Sequence, residues 1–160
     1  MNLTERIRLV AVDVTADVGL LPPFSARDLV NSVQTHWETP IELHPFQRDC
    51  CPLGEFSTGW CIFVGETFHI YYYADGGIIQ QERIIYHELG HLVLKHVSRQ
   101  EPIVLRRRGG QYTDEELLAE AFAEVMTELA LVGGPSPVQS PPYEQAGADP
   151  YRSFLLAQER

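Results

Sequence analysis

One stretch limits what this chain can be more than any other: Ile-Ile-Tyr-His-Glu-Leu-Gly-His-Leu-Val-Leu-Lys-His-Val, residues 84–97. At roughly 100° per residue, His87, Glu88, His91 and Lys95 fall on one narrow strip of a helix, while Ile85, Leu89, Leu92, Val93 and Val97 cover the other side. The pattern predicts a buried helix with a single polar seam. Two imidazoles one turn apart can each give a nitrogen to the same metal ion at about 2.0 to 2.1 Å. Glu88 is next on the seam, placed to accept a proton from an activated water without being a ligand, as in the H-E-x-x-H zinc helix. The competing view, two core histidines and a solvated glutamate, is disfavoured because such groups are costly to bury unless something pairs them. His96 points elsewhere on the same wheel and reads as structural.

The stretch needs a scaffold, and the composition supplies one. The chain has 160 residues, 44% of them hydrophobic, which suits one globular domain over residues 1–132. The Pro- and Gly-rich residues 133–160 read as a tail, with a short terminal helix starting at Asp149-Pro150. A formal net charge of −10 argues against a large nucleic-acid footprint or an anionic membrane surface. With no basic-then-apolar leader and no run long enough to span a bilayer, the expectation is a soluble cytoplasmic protein. Three cysteines, Cys50, Cys51 and Cys61, make no disulfide framework and read as reduced or buried thiols, with a thiolate near the metal as the minority view.

Ahead of the metal helix the spacing predicts an amphipathic helix over residues 3–18 and a second over 26–37, capped by Ser25 with Asp28 in its first turn. An extended piece follows at Ile41 to Phe46. Trp60–Val64 and Phe68–Tyr73 then alternate as a hairpin around Gly65-Glu66-Thr67, predicting a small antiparallel sheet. A sheet edge beside a metal cleft could pair with an extended peptide. His69, Tyr71, Tyr73, Tyr86 and Tyr112 are oxyanion-donor candidates, each more readily explained by packing.

Two histidines leave a zinc site short of a protein ligand. The predicted helix from Thr113 to Leu131 offers one. Leu117, Leu118, Ala121, Phe122, Val125 and Leu129 make its apolar face, and Glu116, Glu120, Glu124 and Glu128 run opposite. Like charges at that spacing each cost roughly 0.2 to 0.5 kcal/mol, so the strip is solvated or neutralised. Glu116 and Glu120 are both candidate ligands by spacing, and Glu116 also fits a capping box with Thr113. Between the helices, Arg106-Arg107-Arg108 could grip an acidic partner, though a solvated loop explains it as well.

The run Gln81-x-Arg83-x-x-x-His87-Glu88-Leu89-Gly90-His91-Leu92-x-Leu94-x-His96, followed by Glu116-Leu-Leu-Ala119-Glu120-Ala-Phe122-Ala123, resembles the ImmA/IrrE metallopeptidase-like family over about residues 25–130. The second helix in that gluzincin-type family reads roughly E-x-E-A-N/D-x-F-A. Resemblance to it implies an α+β zincin-like fold, a Zn2+ ion held by His87, His91 and Glu116, and Glu88 as catalytic base. It implies peptide-bond hydrolysis in a protein substrate, a transcriptional regulator, with helix-turn-helix repressors frequent as partners. The alternative is a zinc-containing module that sequesters such a partner without hydrolysis. Leu118 stands where the family often has a second Glu. Glu120 stands at its Asn/Asp position, long enough to be an alternative ligand or to orient a ligand histidine.

Overall fold

The computed structural model describes residues 1–47, 58–97 and 113–131. Cys50, Cys51, the Arg106–Arg108 loop, Tyr112 and the tail lie outside these residues. The described chain is α+β: α1 (Leu3–Asp17), α2 (Ala26–His36), β1 (Ile41–Phe46), β2 (Gly59–Val64), β3 (Thr67–Tyr73), α3 (Ile78–Val93) and α4 (Asp114–Leu131). Among the described residues, no helix is long and apolar enough to cross a membrane.

Local chemistry sets the helix starts. Asn2 and Ser25 cap α1 and α2 through reciprocal bonds with Glu5 and Asp28, so two otherwise orphaned N–H groups are satisfied at each end. The bonds from the Ser25 backbone and hydroxyl hold the Asp28 carboxyl below its ordinary pKa. α3 opens without a side-chain cap at Gly77; Gln81 ties its first turn back by donating from Nε2 to the carbonyls of Ala74 (2.9 Å) and Gly76 (2.7 Å).

The sheet is mixed, which corrects the expected antiparallel one. Its order is β1-β3-β2, with β3 antiparallel to β2 and parallel to β1. Alternation identifies strands and a hairpin, but it carries no signal for which neighbour an isolated strand such as Ile41–Phe46 will join, or in which direction. The central β3 is the most buried strand: Phe68 and Ile70 are fully enclosed. These two, with Ile41 and Tyr72, face the helices. Glu42, His44, Trp60, Ile62, His69 and Tyr71 share the opposite face by register.

α3 packs on β2, β3 and α2 with one side and on α4 with another. α1 covers α4 through Ile7, Ala11 and Val14, and Arg8 pairs with Glu128. α4 is thus sandwiched, and its buried residues are Ala119, Phe122, Ala123, Val125, Met126 and Ala130. The expected apolar face shifts accordingly: Leu117 is exposed, because α4 turns residues 119, 123, 126 and 130 inward between two helices rather than one stripe toward a single neighbour. Each large apolar side chain enclosed here contributes on the order of 1.5 to 3 kcal/mol.

Candidate metal centre

Gly90 sets the distance between α3 and α4. A Cβ there would lie 3.1 Å from Cδ1 of Phe122, closer than side chains ordinarily pack, and 3.4 Å from Cα of Ala119, already in contact. The small residues at 90 and 119 let the helices approach, and on one flank of that contact the carboxylates of α4 meet the imidazoles of α3. His87 and His91 are buried, at 7% and 5% exposure. Oε2 of Glu116 is 3.2 Å from Nε2 of His87, and Oε1 of Glu116 is 3.1 Å from Nε2 of His91. Donor atoms of His87, His91 and Glu116 all lie within 4.8 Å of one another, and the three residues could hold a metal ion.

The outer nitrogens of both rings also have partners. Nδ1 of His87 lies 3.3 Å from Oε2 of Glu120, whose other oxygen pairs with Arg83. Nδ1 of His91 lies 3.0 Å from Nδ1 of His96. Both ring nitrogens of His87 thus face a carboxylate oxygen, Glu120 on the outer side and Glu116 on the inner, and an ionised carboxylate only accepts. The inner nitrogens of both rings and the Glu116 carboxylate converge on one small volume, where a ring proton or a metal ion is shared among them. The donor set, two imidazole nitrogens and one carboxylate, fits zinc in a site with an open fourth position.

Comparison with protein-family models, curated proteins and solved structures finds no match.

The two glutamates left open by spacing have separate positions. Glu116 faces both Nε2 atoms, while Glu120 faces the far side of His87 and Arg83. The remaining acidic residues of the strip divide the same way: Glu128 pairs with Arg8 and Glu124 is exposed. Glu88 is buried at 6% exposure and lies beneath the start of β2. A Cβ on Gly59 would come within 2.6 Å of Cγ2 of Ile84, 2.9 Å of Oε1 of Glu88 and 3.0 Å of the Tyr71 carbonyl. Only glycine lets this edge strand lie against the glutamate.

Three features were not legible in the helical wheel. Lys95 is not on the seam, because α3 ends at Val93 and Lys95 takes a left-handed φ of 60°. Lys95 N–H donates to Leu92 O at 3.1 Å and His96 N–H to His91 O at 2.8 Å, the paired bonds of a Schellman ending. This reversal folds His96 back onto His91, although a continued helix would have carried it away. Gly59 was the second, since alternation begins at Trp60. Arg83 was the third, visible only as one position of the resemblance, and nothing in spacing announced its ion pair.

Of the oxyanion candidates, His69 and Tyr71 sit on the sheet face away from α3. Tyr86 is buried, and its hydroxyl has no hydrogen-bond partner among the described residues. Burial first, then the charges of Glu82 and Asp28, raises its pKa, so it stays protonated. Those neighbours place it toward the start of α2.

Proposed function

We propose that this protein is a zinc-dependent metallopeptidase that hydrolyses a peptide bond in a protein substrate. One observation carries the reading: a half-buried carboxylate from α4 faces the inner nitrogens of two buried histidines of α3, next to a buried, neighbouring glutamate. The resemblance to the ImmA/IrrE metallopeptidase-like family supports it, including a regulator as substrate. His87, His91 and Glu116 would hold the ion, with Glu120 and His96 fixing the ring orientations. When bound, zinc supplies Lewis-acid chemistry, polarising a carbonyl and making a water acidic enough to ionise near neutral pH.

The remaining work falls to the chain. Glu88 accepts the water proton on a carboxylate oxygen and delivers it to the departing amine nitrogen. Its enclosure under Gly59 limits the rotamers available for that transfer. The start of β2 lies directly above the glutamate, so a peptide bond brought to the His87/His91/Glu116 group would pass close to the base.

The test is proteolysis of casein and of a fluorogenic peptide library by the zinc-loaded full chain. Wild type should cleave in a chelator-sensitive manner, and E88Q, which preserves side-chain volume, should bind zinc unchanged while losing at least about a hundredfold in rate. Full cleavage by E88Q rejects its role as base. Zinc binding with no cleavage in wild type rejects hydrolysis and leaves the sequestering module.

A further inference from the structure

The sheet carries a second group of metal-ligating side chains on the face opposite α3. We propose that Glu42, His44 and His69 form a separate site for a borderline divalent cation such as zinc. The strand register builds it: Glu42 and His69 are directly paired across parallel β1 and β3, and His44 follows two residues along β1 on the same face. The backbone ladder thus brings all three together without depending on any loop.

The distances have the form of a coordination polyhedron. Nε2 of His44 lies 2.9 Å from Nδ1 of His69, and a single oxygen, Oε2 of Glu42, lies 3.5 Å from the first and 3.6 Å from the second. Ligand atoms of a tetrahedral zinc site with bonds of about 2.0 to 2.1 Å stand about 3.3 to 3.4 Å apart, close to the mean edge of this triangle. A proton shared between the two rings accounts for the short edge alone. It leaves Glu42 at the limit of hydrogen-bonding distance from both nitrogens. A cation inside the triangle engages all three atoms.

The rings are also held in place. His44 stacks on Tyr71 at 4.6 Å between centroids, and Tyr71 stacks on Trp60 at 4.7 Å, so the imidazole is one end of an aromatic row across the sheet. The His69 side chain is 17% exposed and that of His44 34%, while Glu42 at 59% is the most exposed of the three. Two nitrogens among three donors disfavour magnesium and calcium and suit zinc, cobalt or nickel. The open side permits exchange with solvent, so this site binds more weakly than the helix-borne one and fills later as zinc rises.

The experiment is titration of the metal-free full chain with Zn2+ alone, followed by calorimetry and by 15N-detected histidine resonances. Wild type should take up two equivalents, the second weaker. The second uptake should shift Nε2 of His44 and Nδ1 of His69. The double variant H44Q/H69Q should lose the weaker event and keep the tighter one, whereas H87A/H91A should keep the weaker event. E42Q, at an exposed position that folding tolerates, should weaken the second event by at least about tenfold, the lower end of what losing even an outer partner costs. One equivalent in wild type, a weaker event that survives H44Q/H69Q, or unshifted His44 and His69 nitrogens would overturn the site. Because the variants separate the two events, failure here leaves the reading of the helix-borne centre standing.

Discussion

The two groups, His87/His91/Glu116 between helices and Glu42/His44/His69 on the sheet, use the same donors in different settings. In the first, both histidines are buried and each outer nitrogen is engaged, by Glu120 or by His96. In the second, the carboxylate is mostly exposed and ring orientation comes from stacking on Tyr71. The contrast teaches that donor type alone does not set the strength of a centre. Burial removes competing water, and bonded outer nitrogens hold the direction of each ring before any ion arrives.

The largest effect should come from removing a ligand on each side. H91A should lower the tighter zinc affinity by at least about a hundredfold, beyond the 10–100-fold cost of losing an outer partner, measured by competition with a chromogenic chelator. H44A should leave that affinity unchanged. Equal losses from the two would erase the distinction.

The outer partners come next. E120A should weaken the tighter site by roughly 10- to 100-fold while H96A acts in the same direction, with zinc still bound by both. If E120A instead removes zinc as completely as E116A, Glu120 is a ligand and the division of labour between the two glutamates is wrong.

Ion pairs sharpen the same comparison at lower energy. The Arg8–Glu128 pair is exposed on both sides, at 45% and 53%, and a double-mutant cycle in urea should give about 0.2 to 1 kcal/mol. Arg83–Glu120 is enclosed on its acidic side, at 17%, and should give more. Coupling in the reverse order would show that Glu120 is not held by its surroundings.

The smallest effect is a pH dependence remote from both sites. Burial, outweighing the Ala26 N–H that Glu82 accepts and aided by the charge of Asp28, raises the Glu82 pKa. The folded state therefore binds this proton better than the unfolded chain. Its contribution is complete below the ordinary pKa of 4.5 and is lost as pH rises through the raised folded value. E82Q should flatten that part of the stability curve, read from chemical unfolding of the metal-free protein. Asp28, with its lowered pKa, has the opposite sign: its contribution is present above its ordinary pKa of 3.8 and fades as pH falls through the lowered value.

The sequence by itself determined which segments are helical and that His87, Glu88 and His91 share one seam of α3. The capping residue Ser25 and apolar repeats at turn spacing are local signals, and local physics places the starts of α1 and α2 within a residue or two, whereas the Asn2 cap was found only in the structure. The i, i+4 spacing of His87 and His91 likewise required only that α3 be helical. Only the tertiary structure decided what depends on distance across the chain. It placed Glu116 rather than Glu120 against the inner nitrogens, since both project from one face of α4 and the Gly90–Phe122 contact sets the register. It brought His96 back through a left-handed Lys95, a conformation that lysine does not announce. It laid β1 parallel to β3, and so assembled Glu42, His44 and His69 from residues that are separated by a hairpin and show no common motif. Periodicity reports which face of an element is apolar; which other face it meets is settled by packing that no single segment contains.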